Sequence, residues 1–67
     1  MTAIHVHRGK TEYLVVRTIG DRAAPESITC GSREELTAVL LLLGVADAGV
    51  GDIFDQLEHS VVGVVRI

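Results

Sequence analysis

Tryptophan is missing from this chain of 67 residues, and cysteine, proline, methionine, tyrosine and phenylalanine each occur once. The single Cys30 excludes an internal disulfide framework and points to a reducing, cytoplasmic setting. With so few aromatics there is no stacking platform for single-stranded nucleic acid; Tyr13 is the one candidate for stacking. Neither GxGxxG nor a P-loop pattern is present. Gly44, Gly49 and Gly51 fit neither, and their segment has no lysine to meet a phosphate, so no cofactor is expected. The longest apolar run, 36–46 with Thr37 and Gly44 inside it, falls well short of the ~20 residues that span a bilayer. His5, His7 and Arg8 come too early for a secretory signal. A soluble protein without membrane contact is expected.

What is present argues for a folded core. Hydrophobic residues make up 48 % of the chain, too many for a disordered acidic tail. The length fits one α+β domain over residues 1–67. A domain of this size buries only about 60 % of its unfolded surface, so it gains from oligomerisation or a partner. The net charge of −3 is unevenly laid out. Through Arg33 the charges sum to +2; from Glu34 onward they sum to −5, with no Lys or Arg between residues 34 and 65.

The chain opens as a β-hairpin. Ile4, Val6 and Arg8 alternate with His5 and His7, and Gly9-Lys10 offers a two-residue turn. Closure there pairs Arg8 with Thr11, His7 with Glu12 and Val6 with Tyr13. Ile4, Val6, Tyr13 and Val15 then share the core face, and His5, His7, Glu12, Leu14 and Val16 the other. The polar stretch 20–27, with the one proline, ends the second strand near Ile19. Ile28 to Cys30 reads as a short extended segment.

Two helices follow. Ser32 to Glu35 fits a capping box, and Leu36, Val39, Leu40 and Leu43 recur at helical spacing until Gly44. Val50, Ile53, Phe54 and Leu57 repeat the pattern, with Asp47 near the start and Gly49 and Gly51 each costing about 1 kcal/mol relative to alanine. The valine-rich end, 61–67, reads as a strand buried on both faces or paired inside the sheet. The order ββααβ predicts an α+β fold with two helices packed on a small three-stranded, mainly antiparallel sheet.

Chemical constellations are weak. His5 and His7 share a strand face, but a metal site needs a further ligand from Cys30, His59 or Glu12. A cross-strand pair between His7 and Glu12 explains the pattern without metal. Cys30 precedes a helix N-terminus, which would lower its pKa, yet nothing orients a histidine toward it. Ser32 reads as a cap, and Asp52, Asp55 and His59 as a solvated helix face on which Asp55 supports His59. No catalytic or metal-binding residue is assigned, and no enzymatic activity is expected. A helix-turn-helix reading fails on charge, since Asp52, Asp55 and Glu58 would face phosphates. Direct nucleic-acid binding is therefore not expected.

Contact remains. The first expectation is a non-catalytic binding module or inhibitor in which Glu34, Glu35, Asp47, Asp52, Asp55 and Glu58 occupy a basic, nucleic-acid-binding surface of a partner protein. Compact acidic domains of this kind resemble, by class alone, the nucleic-acid mimics that phages direct at host defence, including anti-CRISPR inhibitors. The alternative is a homodimeric structural or regulatory subunit joined through a strand edge or through apolar Leu14, Val16 and Leu41. A third, metal- or thiol-dependent chemistry at His5, His7 or Cys30, has the least support.

Overall fold

The computed structural model describes residues 2–20 and 26–67. The chain runs β1 (Thr2–Arg8), β2 (Tyr13–Ile19), β3 (Glu26–Cys30), α1 (Arg33–Leu42), α2 (Asp47–His59) and β4 (Val62–Arg66). The strands form one antiparallel sheet in the order β3-β2-β1-β4. Both helices cover one face of it. Every buried strand side chain (Ile4, Val6, Val15 and Cys30) lies on that face, against Leu36 and Leu40 of α1 and Val50, Ile53 and Leu57 of α2. No described helix is long and apolar enough to cross a membrane.

Among the described residues the sheet has four strands, not three. The extra strand is β3, which pairs along β2 and places Ile28 opposite Val15. Its residues alternate between core and solvent, so only Ile28 and Cys30 mark it as apolar. Of the polar stretch read as a turn, residues 21–25 lie outside the described residues, while Glu26 and Ser27 belong to β3. β4 sits at the sheet's other edge rather than inside it, and its flanking Val61 and Ile67 are exposed.

The hairpin register also differs from the expected one. Arg8 pairs with Tyr13, His7 with Leu14 and Val6 with Val15, two residues beyond the pairing that Gly9-Lys10 suggested. A glycine-first two-residue turn needs a positive φ at that glycine, and Gly9 does not adopt one. Instead residues 9–12 form the loop, closed by the Gly9 amide donating to the Glu12 carbonyl at 2.7 Å. A shift of two leaves each side chain on its own face. It brings two buried valines opposite each other and places half-buried Tyr13 at the rim.

The helix ends follow local chemistry. Ser32 Oγ accepts from the Glu35 amide at 3.1 Å, and the Glu35 carboxylate accepts from the Gly31 amide at 3.2 Å, one residue before the usual return point. At the other end Gly44, at φ +95°, donates to the Leu41 carbonyl while Val45 donates to that of Leu40. That pair of bonds is a Schellman closure, and Val45 and Leu40 are both buried beneath it. α2 has Ala46 rather than Asp47 at its N-cap position and no side-chain cap.

α2 is instead held by the sheet. Thr2 and Ile67 exchange backbone bonds, so by antiparallel alternation the peptide groups of Val64 point away from β1. Gln56 meets them both. Its Nε2 donates to the Val64 carbonyl at 3.0 Å, and its Oε1 accepts from the Val64 amide at 2.9 Å. Ser60 Oγ accepts from the Val62 amide at 3.3 Å. The helix comes this close because Gly63 has no side chain: a Cβ there would stand 3.2 Å from the Ile53 carbonyl oxygen. Gly49 has a similar reason, since a Cβ would meet Val45 Cγ1 at 2.8 Å, a clash that outweighs the ~1 kcal/mol of helix propensity gained.

At the opposite edge, the same alternation turns the peptide groups of Ser27 and Thr29 away from β2, and no described residue bonds to them. The β4 edge is thus engaged at Val62 and Val64, whereas the outward groups of Ser27 and Thr29 meet no partner among the described residues.

Gln56→Glu tests the engagement of Val64. It replaces the Nε2 donor with a carboxylate oxygen facing the Val64 carbonyl, and we expect a loss of about 2–3 kcal/mol in urea unfolding. An unchanged midpoint and slope would show that the amide adds nothing.

Candidate functional site

All six carboxylates of the expected contact set are exposed, but the fold divides them. Asp47, Asp52, Asp55 and Glu58 are all exposed on α2; helical spacing sends Asp52 and Asp55 to the side opposite buried Val50, Ile53 and Leu57 and leaves Asp47 and Glu58 on the flank with half-buried Phe54. Asp52, Asp55 and Glu58 follow at three-residue steps, about 4.5 Å of axial rise each. Glu34 and Glu35 sit instead in the first turn of α1. Between the two groups stands Arg33, whose guanidinium lies 4.6 Å from the centre of the Phe54 ring on α2. Among the described residues the one ion pair is Arg17–Glu26, at 2.6 Å across β2 and β3, so none of the six carboxylates is neutralised by a cation in contact.

The histidine pair has a different setting from the expected one. His5 stands between Val16 and Val64, and His7 between Leu14 and Val62, on the sheet face that no helix covers. Glu12 is in the turn, so its cross-strand pair with His7 is not formed. Cys30 is buried on the opposite face and cannot complete a site with them. Among the described residues, the one group with three metal-type ligand atoms together is Asp55, Glu58 and His59, all exposed on the last turns of α2. There the His59 Nδ1 lies 3.1 Å from the main-chain carbonyl of Asp55, rather than from its carboxylate.

Cys30 also departs from expectation. Its thiol pKa is raised, first by burial and then by the nearby charge of Glu35, so the α1 terminus does not lower it. Desolvation disfavours the thiolate more than the helix end can favour it. That makes it a poor nucleophile.

The apolar candidates do not form one patch. Leu14, 40 % exposed, and half-buried Val16 lie on the bare sheet face, whereas Leu41, 46 % exposed, lies on α1 across the sheet. Three features escaped the sequence reading. Half-buried Val62 and Val64 extend the Leu14 and Val16 rows beyond His7 and His5. Leu42 is 85 % exposed near the end of α1. Arg8 Nη1 donates to the Leu57 carbonyl at 2.6 Å, supplying a partner for a carbonyl in the last turn of α2. The valine run of 61–67 was the available signal for these residues; nothing local announces a contact between residues 8 and 57.

No protein-family model matches this chain, and no curated protein or solved structure gives a significant match. Geometry and chemistry alone carry the functional reading.

Thiol titration at pH 8 checks the description of Cys30. In the native protein the aromatic-disulfide reagent should react at least about 100-fold more slowly than after denaturation, because burial blocks access and raises the pKa. The sign follows for stability: a raised folded-state pKa means stability is lost as pH climbs past the ordinary thiol value, about 8.5. Equal rates in both states would refute it.

Proposed function

We propose that this protein is a non-catalytic binding module whose acidic α2 face docks on a basic surface of a partner protein. One observation carries the reading: α2 presents Asp47, Asp52, Asp55 and Glu58 outward along its exposed side, with no cation paired to them among the described residues. Exposed and unpaired among the described residues, these carboxylates give one side of the molecule a negative field that a groove lined with lysine and arginine attracts. This supports a partner that ordinarily holds nucleic acid, and an inhibitory outcome. Glu34 and Glu35, beyond Arg33, form the margin of the contact. Association is steered by charge and falls with salt, because the Debye length is only about 8 Å at physiological ionic strength.

A second reading rests on a separate observation. Leu14, Val16, Val62 and Val64 lie on a sheet face with no helix over it, and that face supports a homodimer formed by stacking two sheets.

For the first reading, the triple substitution Asp52→Lys, Asp55→Lys and Glu58→Lys changes only exposed side chains. Wild-type protein, immobilised in an extract of its source, should retain a basic protein that heparin displaces, and the triple variant should retain none. Equal retention by both forms defeats this reading. For the second, light scattering at micromolar concentration should give a dimer that Leu14→Arg converts to a monomer; a wild-type monomer excludes it.

A further inference from the structure

The acidic helix leaves most of the chain's positive charge elsewhere, and the fold gathers part of it. A cleft of about 280 Å3 opens between the β1–β2 turn and the start of α1, and Arg8, Lys10, Tyr13 and Arg33 line it. Three of the chain's six Lys and Arg residues therefore line one concavity, from two segments (8–13 and 31–33), with Glu12 the one carboxylate in the lining. Two of the three cations are held at the margin of the cleft nearest α2: Arg8 is tethered to the Leu57 carbonyl and Arg33 lies over the Phe54 ring, where a smaller adjoining concavity of about 80 Å3 also includes Glu58. Neither attachment neutralises its charge. No carboxylate forms an ion pair with Arg8, Lys10 or Arg33 among the described residues.

We propose that this cleft binds the phosphate group of a small phosphorylated molecule. Each guanidinium offers five N–H donors in a planar fork, of which a tether uses few, and such forks match phosphate oxygens in pairs. Lys10, on the exposed turn, adds a mobile point charge that closes over a bound anion. Half-buried Tyr13 forms part of the wall. The α1 terminus is an accessory here, since Ser32 already occupies the Glu35 amide and the Glu35 carboxylate the Gly31 amide. Size selects the ligand class: the volume lies just under the ~300–1,000 Å3 typical of ligand pockets, so it suits a phosphate with a small attached group. Glu12 in the lining disfavours ligands that carry further negative charge toward the turn.

The test is an amide-resolved NMR titration with inorganic phosphate and with phosphoserine, using sodium chloride at matched ionic strength as the control. Saturable shifts confined to residues 9–13 and 31–34 are expected with both phosphates and absent with chloride. Lys10→Ala with Arg33→Ala should weaken binding roughly tenfold or more, through lost charge-assisted bonds. Lys10→Ala alone lies in an exposed turn and keeps the test decisive if removing Arg33 from Phe54 disturbs the fold. Shifts that do not saturate, that chloride reproduces, or that the variants leave unchanged overturn the proposal. Because Asp52, Asp55 and Glu58 are untouched by these substitutions, the outcome is separable from docking by α2.

Discussion

A glutamine side chain that pairs with both main-chain polar groups of one residue sets the geometry of this molecule. Gln56 offers Val64 what a neighbouring strand would offer, an acceptor for its amide and a donor for its carbonyl. Because the amide is rigid and both bonds must form together, α2 can rotate little about its own axis while they hold. Gly63 makes the arrangement possible by letting the helix backbone approach the strand. Once α2 is fixed in this way, Ile53 and Leu57 enter the core and the acidic residues must face water. The orientation of the charged face thus depends on a neutral, half-buried contact on the helix flank.

The same placement explains how two charge signs coexist on a small body. Arg8 and Arg33 both reach α2, one ending on the Leu57 carbonyl and the other on the Phe54 ring. Both partners attract a cation without cancelling it, so positive potential persists beside the carboxylates of the helix. A carboxylate partner in either position would have neutralised the arginine and removed the basic cleft.

Local patterns carried the helices and the faces of the strands; pairings between distant residues did not show. Ser32 with Glu35, and Gly44, act within a few residues, so their roles are readable from spacing alone. The turn length was hidden because a two-residue shift preserves side-chain parity, and Gly9 fits either loop. β3 was read only as the short extended segment Ile28 to Cys30, because an edge strand needs few apolar residues and polar Glu26 and Ser27 blend into the turn before it. The run of valines suggested an interior strand, yet one side of β4 is covered by α2 and the other is only partly shielded by its neighbours. For the contact residues, the charge run was legible but its division by Arg33 was not, since that depends on where Phe54 arrives.

The unequal edges of the sheet carry a consequence for strand addition. Gln56 and Ser60 engage the Val64 and Val62 peptide groups on β4, while those of Ser27 and Thr29 on β3 meet no described residue. A strand laid along β4 would have to take the Val64 groups from Gln56, so pairing there competes with the contact that holds α2, whereas pairing at Ser27 and Thr29 displaces no described bond.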